Sequence, residues 1–407
     1  MHYDCDILIA GGGLAGGCLA LALQATGWHV AVVEAVTDER RRSSPAGDRA
    51  LALAYGTVQV LDRLGLWSSV AQQATPIEKI HVSDRGHFGK TRLSARQEGV
   101  DALGYVITAR VIETHVGEAL AASSVEYLCP ARIIGLKSGS DGVCISLKSG
   151  DDSLHKTAGL LVGADGGNSS VRRLLEIKQK TRDYGQTAIV TLVKPQRDPA
   201  RTAYERFTAS GPLAFLPTND GRCSVIWTQV SEEAEALMAL SEEAFLERLQ
   251  DAFGYRLGRL SLCSPRRAFP LTLVQAEQMI AERAALIGNA VHQLHPVAGQ
   301  GFNLGLRDVA QLAELLIQAD AQGDDPGSDR LLNRYAEARR KDHEAVIGFT
   351  DRLVRVFSNH LLPLSAARNA GLMALDHLPW LKHTLARHAM GLGGRVPRVG
   401  RMVRSVR

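Results

Sequence analysis

Residues Asp4–Ala10 form a short apolar run, DCDILIA, that stops at three consecutive glycines. A run of this length without apolar/polar alternation predicts a strand buried on both faces of a parallel sheet. Leu14–Ala25 is rich in Ala and Leu and predicts a helix, and His29–Val33 predicts a second strand that ends at Glu34. Further along, helices are predicted over Tyr55–Leu64 and Arg110–Ala122, and a strand over Lys79–Asp84. Val125–Leu128, Ala131–Lys137 and Val143–Lys148 alternate as a three-stranded antiparallel meander would. Leu160–Gly163 reads as a strand that delivers Ala164-Asp165-Gly166, and Ser169 opens the next helix. Ile189–Val193, Ala203–Thr208, Leu213–Pro217 and Arg222–Val230 read as strands, and Ser231–Phe253 as a helix broken near Ser241. Arg267–Leu273 and Ala284–Ile287 return as strands. Gly301 opens a helix, and Leu331–Phe357 and Leu361–Asp376 read as helices outside the core. Ala319–Asp329 is the clearest polar linker, and the chain has no internal repeat.

The glycines give the first segment a chemistry. Gly11, Gly13 and Gly16 have the spacing of a turn in which the first glycine permits the bend and the second lets the backbone approach a pyrophosphate. The third lets the helix pack close to the sheet. The free N–H groups at the start of that helix would face phosphates. Glu34 at the end of the second strand can accept hydrogen bonds from both ribose hydroxyls, and its charge would repel a 2′-phosphate. The bland alternative is a glycine-rich turn without a ligand.

A second cofactor-type segment lies nearly 280 residues later, GNAVHQLHPVAGQGFNLG from Gly288 to Gly305. Asn289 can bond ribityl or phosphate oxygens. The loop from Pro296 to Gly301 can lay its backbone against a flat ring, and Asn303 can reach the ring edge. The N-terminus of the helix that follows can stabilise negative charge on a reduced ring. Between the two segments, Arg49 follows a polar loop, Thr37–Gly47, from which it could reach phosphate or ribityl oxygens. Asp165 could cap its helix or bond a ribose, with Arg172 as its partner. Cofactor-type segments at both ends of a chain predict a long cofactor held at both of its own ends, and FAD fits. A disulfide reductase with two dinucleotide sites would need a second glycine turn behind a strand and a redox cysteine pair. Neither is in the sequence, whose six cysteines are scattered.

Charge and composition narrow the setting. The net charge is only +4, no apolar run reaches the ~18 residues of a membrane span, and no leader pattern precedes the first strand. A cytoplasmic protein with reduced thiols is expected. After Asp376 no acidic residue follows, while Lys382, Arg387, Arg395, Arg398, Arg401, Arg404 and Arg407 alternate with apolar residues. Such a stretch can lie on an anionic membrane surface, here the inner face of the cytoplasmic membrane, or stand frayed in solvent. Nucleic acid is a poor partner, because stacking aromatics are missing from it.

The segments GGGLAG with Glu34, GADGGNSSVR and GNAVHQLHPVAGQGFNLG, in this order, resemble the flavin-dependent aromatic hydroxylases of the p-hydroxybenzoate hydroxylase fold. The resemblance runs from Tyr3 to about Phe357. HPVAGQGFNLGLRD is similar to the ubiquinone-biosynthesis hydroxylases, and the blocks His81–Gly89 and Glu205–Trp227 look like the branch that acts on 2-polyprenyl-6-methoxyphenol.

The resemblance implies an α/β fold with a Rossmann-like FAD-binding domain made of 1–75, 100–180 and 270–325. It implies an inserted sheet-rich substrate domain, 76–99 and 181–269, then C-terminal helices over 326–376 and the basic tail 377–407. It also implies FAD as cofactor, NAD(P)H as co-substrate bound transiently at the surface, and O2 and a polyprenylphenol as reactants. Gly11, Gly13, Gly16, Glu34 and Arg49 would hold the adenosine and diphosphate, with Arg110 on a flavin-contacting helix. Asp165 would lie between FAD and NAD(P)H. Gly288, Asn289, Pro296, Gly301, Phe302 and Asn303 would surround the ribityl chain and ring. From its place beside the flavin loop, and apart from the resemblance, His295 is the candidate base, or it only orders that loop.

One departure is plain: the family usually has Gly-Asp where this chain has Gly288-Asn289. An amide keeps an acceptor for a ribityl hydroxyl and loses the charge. A hydroxylase of another ring position or another aromatic, a reductase of isoprenoid double bonds, and a flavin-bearing structural subunit of a biosynthetic assembly are the other readings.

Overall fold

In a computed structural model, which describes residues 3–294, 299–357, 371 and 373–393, the N-terminal apolar run forms the strand Cys5–Ala10. It lies between Val30–Val33 and Asp152–Gly163, parallel to both. Ile7, Leu8 and Ile9 are fully buried, which is why the run shows no alternation. Ala284–Leu286 extends this parallel sheet on one side and Glu126–Leu128 on the other. The order is therefore 284–286, 152–163, 5–10, 30–33, 126–128, a doubly wound arrangement.

The strand Asp152–Gly163 changes character along its length. Its polar first half is exposed and pairs antiparallel with Gly142–Ser149, which pairs in turn with Arg132–Gly139. Its apolar second half, Ala158–Gly163, is buried in the parallel sheet. The expected meander over Val125–Leu128, Ala131–Lys137 and Val143–Lys148 is thus corrected. Its first member leaves for the parallel sheet, because the helix Ala109–Ala121 returns the chain to the sheet edge beside Val30–Val33. The antiparallel trio is completed by Asp152–Gly163 instead.

A second sheet runs in the order 292–293, 267–276, 179–195, 223–230, 211–217, 202–208, 79–84, 90–94. Its strands are antiparallel neighbours except for 202–208 against 79–84, which run parallel. The helices Ser231–Ala239 and Glu242–Phe253 cover one of its faces with Phe245, Leu249 and Phe253. They separate where the sequence breaks, at Ser241, whose hydroxyl accepts the Ala244 N–H at 3.2 Å.

The helix Leu14–Leu23 is buried from Gly16 to Leu23. It packs on the long helix Gln300–Gln322 and on Ala109–Ala121 within one apolar cluster. Gln300–Gln322 consumes the first part of the expected linker: it ends at Gly323 in the left-handed conformation (φ +67°), and Asp329–Phe357 begins six residues later. Part of the expected helix Leu361–Asp376 lies outside the described residues. The start of the basic tail is ordered rather than frayed. Pro379–Ala389 is helical and buries Ala386 and Met390 against Leu93 and Leu103, and the Met390 carbonyl accepts the Gly56 N–H at 2.8 Å. Arg395 to Arg407 lie outside the described residues. Among the described residues no helix is long and apolar enough to cross a membrane.

Among the described glycines the least room for a Cβ is at Gly16, where it would lie 1.9 Å from the Gly11 carbonyl oxygen. Gly16→Ala is therefore expected to force the first helix off the sheet and to lower stability by about 1–3 kcal/mol. Thermal unfolding of the FAD-free protein reads this directly, and an unchanged midpoint would contradict it.

Candidate active site

A cavity of about 1630 Å³ opens where the C-terminal ends of the parallel strands face the second sheet. Ala10, Gly11, Glu34, Asp165 and Gly288 line one part of it, and Val190, Ala214, Leu216, Ile226 and Phe269 another. Ligand crevices of open α/β sheets lie at such strand ends. The volume exceeds the ~300–1,000 Å³ of a pocket for one small molecule, and so has room for a dinucleotide beside a second reactant.

At the nucleotide end, Gly11 takes φ +101° and its N–H donates to the Val33 carbonyl at 2.7 Å. A Cβ on Gly11 would meet the Ala164 carbonyl at 2.6 Å, whereas one on Gly13 would meet nothing within 4 Å. Gly13 thus borders open space at the N-terminus of Leu14–Leu23, the cradle a diphosphate needs. Glu34 is fixed at the end of its strand: its Oε2 accepts the Gly12 N–H at 2.8 Å and its Oε1 the Val36 N–H at 2.7 Å. It lines the cavity with lone pairs to spare for ribose hydroxyls. Arg49 lines the cavity as well.

Arg110 is not among the lining residues. Its guanidinium bonds Asp48 (2.6 Å) and the carbonyls of Ser44 (2.9 Å) and Arg42, so it organises the 42–48 loop. The expected Asp165–Arg172 pair is also corrected. Asp165 caps its helix, accepting from the Ser169 hydroxyl and from Ser170 N–H at 2.6 Å, while Arg172 donates to the carbonyls of Ala290 and Gly167, both at 2.6 Å. Arg172 thereby ties the segment after 152–163 to the second cofactor-type segment.

At the other end, Gly288-Asn289-Ala290 forms a single 3-10 turn. Gly288 is left-handed (φ +59°), and Asn289 is exposed to the cavity. Gly299, also left-handed (φ +61°), starts the 23-residue helix Gln300–Gln322, whose positive end lines the cavity at Gln300, Gly301 and Phe302. Gly301 has open space before it. Asn303 lines the cavity, but its amide is spent on the protein. Oδ1 accepts from Ala54 N–H (2.8 Å) and the Thr57 hydroxyl (2.7 Å), and Nδ2 donates to the carbonyls of Ala52 (2.9 Å) and Gly299 (2.7 Å). It shapes the floor of the site rather than reaching a ring edge. His295 and Pro296 lie outside the described residues.

Behind this floor sits a polar cluster that sequence reasoning missed. Asp308 is 0 % exposed. Its Oδ2 accepts the Gly288 N–H at 3.1 Å, and its Oδ1 accepts from Arg339 Nε and His343 Nε2, both at 2.7 Å. Burial alone would raise the Asp308 carboxyl, but His343 and Arg339 outweigh it and hold it below the usual carboxylate range. His292 stacks on His343 with ring centroids 4.7 Å apart and is itself wholly buried. Neither of its ring nitrogens has a hydrogen-bond partner among the described residues. Burial, with the nearby His343, pushes its pKa down to about 3. His292, Asp308 and His343 converge as metal ligands would, yet Arg339 already occupies the cation's place on the carboxylate.

Two predictions follow from these geometries. The folded-state pKa of His292 lies below its unfolded value of ~6.5. Its contribution to stability is therefore complete above that value and is lost as pH falls toward 3. The loss between pH 7 and pH 5 is about 2 kcal/mol, so His292→Phe, which keeps the ring stack, is expected to flatten thermal stability across that interval. Equal acid sensitivity of both proteins would exclude this origin. Asn289→Asp restores a charged acceptor toward a ribityl hydroxyl and is expected to tighten FAD about three- to tenfold, the worth of one charge-assisted hydrogen bond. Flavin fluorescence titration checks it; weaker binding would show a site adapted to the amide.

Comparison with known proteins agrees with this geometry. Residues 4–350 match the family described as FAD binding domain. The ubiquinone hydroxylase UbiL of Rhodospirillum rubrum is 40% identical over 410 residues, covering 98% of this chain and 93% of that protein. The 3-demethoxyubiquinol 3-hydroxylase of Escherichia coli is 32% identical, covering 95% of this chain and 98% of that protein. Among solved structures, p-nitrophenol 4-monooxygenase PnpA of Pseudomonas putida shares the fold with a TM-score of 0.79 at 19% identity, over 97% of this chain and 100% of that one. FAD is the cofactor this fold is built around, and the chain belongs to the FAD-binding monooxygenase family that includes the ubiquinone hydroxylases.

Proposed function

We propose that this enzyme hydroxylates the ring of a polyprenylated phenol in ubiquinone biosynthesis, with NAD(P)H as reductant, and that its substrate is 2-polyprenyl-6-methoxyphenol. The observation that carries the reading is the continuity of the cavity. One space joins the diphosphate cradle at Gly13, the ring floor at Gly299–Phe302 and a wall of Val82, Val190, Ala214, Leu216 and Ile226. An apolar wall facing a flavin site suits a greasy aromatic, gaining ~25 cal/mol for each Å² taken from water.

FAD, when bound, supplies the redox chemistry with NAD(P)H and O2. The chain positions it. Gly11, Gly13 and Gly16 shape the diphosphate site, with Glu34 at the ribose and Arg49 nearby. Gly288, Asn289, Gly301 and Phe302 border the ribityl and ring positions, and Asn303 fixes the floor beneath them. The apolar wall orients the phenol and keeps water from the reacting atoms. The 32% identity to a 3-demethoxyubiquinol 3-hydroxylase favours a second reading, hydroxylation at that neighbouring ring position.

Mass spectrometry of quinone intermediates in cells lacking the protein, grown in air, separates them. Accumulated 2-polyprenyl-6-methoxyphenol supports the first, accumulated 3-demethoxyubiquinol the second, and normal ubiquinone without either sinks both. Complementation with Gly13→Glu, whose side chain would fill the open space before the first helix, is expected to leave the block in place with FAD absent. Restored ubiquinone would point to a structural subunit instead.

A further inference from the structure

The second sheet turns one face to the cavity, and that face carries an acid among apolar residues. Glu205 lies in the strand Thr202–Thr208, between Val82 on one neighbouring strand and Ala214 on the other. Strand alternation puts it on the same side as Ala203 and Phe207, and all three line the cavity. Across the next strands the surface continues through Ile226 and Val190. Asp84 is the other acid in this region, beside Phe207 on the adjoining strand and buried away from the cavity lining.

A carboxylate costs free energy in such a place unless it is paired. Among the described residues the Glu205 side chain makes no hydrogen bond and no ion pair. Burial alone pushes its carboxyl up to about 7. Most other acids of the cavity wall are engaged: Glu34 by backbone N–H groups, Asp165 by its helix cap, Asp342 by Arg339 and Arg307, and Glu344 by Arg340. The remaining one, Glu113, sits at the nucleotide end beside Gly13, away from the apolar wall. Arg49, Arg307 and Arg352 line the cavity too, but none of them pairs with Glu205. Among the described residues nothing in the fold pairs with Glu205, which leaves its carboxyl open to what enters the cavity.

We propose that Glu205 is the base that accepts the phenolic proton of the aromatic substrate, a role that rests on the hydroxylase function proposed above. The O–H bond breaks, its electron pair stays on the phenol oxygen and feeds the ring carbon to be hydroxylated, and the proton moves to a Glu205 carboxylate oxygen. The proton returns to the oxygen of the product. In the net reaction a ring C–H becomes C–OH, the second atom of O2 leaves as water, and NAD(P)H with one proton supplies the two electrons and hydrogens. An ordinary glutamate is about six pKa units more acidic than a phenol near ~10; a carboxyl near neutrality halves the gap and still ionises at working pH.

The test uses the FAD-loaded protein, Glu205→Gln and Glu205→Asp. The probes are a short-chain 2-prenyl-6-methoxyphenol and a ring-fluorinated analogue that is already phenolate at the assay pH. Hydroxylation is read by mass from 18O2. For the weakly acidic probe, wild-type kcat/KM is expected to rise with pH through about 7. Glu205→Gln is expected to lose that rise and roughly 10²-fold in kcat/KM at pH 8, and Glu205→Asp to keep the rise at a lower rate. On the fluorinated probe Glu205→Gln is expected to stay within about threefold of wild type, since no base is needed. Equal losses on both probes would assign Glu205 a structural role, and an unchanged pH profile in Glu205→Gln would remove it from the proton path; either overturns the proposal. A wild-type protein that hydroxylates neither probe overturns the hydroxylase reading itself, and the base role with it.

A substrate-free readout runs beside these. A raised folded-state pKa gives stability that is complete below the unfolded value of ~4.3 and lost as pH rises through about 7. The melting temperature of Glu205→Gln relative to wild type is therefore expected to be higher at pH 8 than at pH 5. An equal difference at the two pH values would show that the apolar cavity face does not disfavour the Glu205 carboxylate and would overturn the proposal.

Discussion

One carboxylate, Asp308, holds the rear of the active site together. It is fully buried in the long helix Gln300–Gln322 and binds three partners from two other parts of the chain: the Gly288 N–H of the turn, and Arg339 and His343 of the helix Asp329–Phe357. Breaking a buried pair of this kind by removing one partner leaves the other charge without compensation, at a cost of about 3–5 kcal/mol. The turn at Gly288 has a left-handed backbone and little besides Asp308 to hold its N–H. The position of Asn289 in the cavity therefore depends on a charge cluster that never touches the cavity. Tyr335 adds a second brace by donating to the Leu286 carbonyl at 2.9 Å, so Asp329–Phe357 grips the strand that delivers the turn.

The front of the site follows the same logic with neutral groups. Asn303 satisfies all four of its amide bonds on the segments 52–57 and 299, which fixes the start of the long helix relative to the strand Ala50–Ala54. Gly305 packs on Gly288, where a Cβ would stand 3.1 Å from the Gly288 Cα. A helix end clamped from both sides presents its dipole and free N–H groups in a set direction. That is what stabilising charge on a bound ring requires, because preorganised dipoles need no rearrangement when charge develops.

Much of this was legible in the sequence, and the part that was not shares a physical reason. The glycine turn, Glu34 at the strand end and the break at Ser241 are local signals: each depends on residues a few positions apart, and each lies where expected. Pairing partners are not local. Periodicity revealed a strand at Val125–Leu128 but could not say that Glu126–Leu128 would join Val30–Val33 in parallel. Asp308 looks like an ordinary polar helix residue until Arg339 and His343, 31 and 35 positions away, fold onto it. Arg172 likewise appeared to belong with Asp165, seven residues before it. The backbone carbonyl of Ala290, 118 residues away, claims it. Glu205 opens a family-like block in the sequence, but a strand residue shows its face only once the neighbouring strands are known.

Asp308 and Glu205 show how environment divides labour between like groups. Asp308 is surrounded by cationic partners and held ionised, so it serves as a fixed structural charge. Glu205 lies between Val82 and Ala214 on an apolar face and has no such partner among the described residues, so its protonation is free to change near neutral pH. Pushing the pKa values of like groups in opposite directions is how a site separates a constant field from a mobile proton. If the charges were exchanged, with an arginine beside Glu205 and apolar residues around Asp308, the wall would lose its proton acceptor. The turn at Gly288 would lose its anchor as well. The placement of Arg339 is therefore as much a part of the site's chemistry as any residue that lines the cavity.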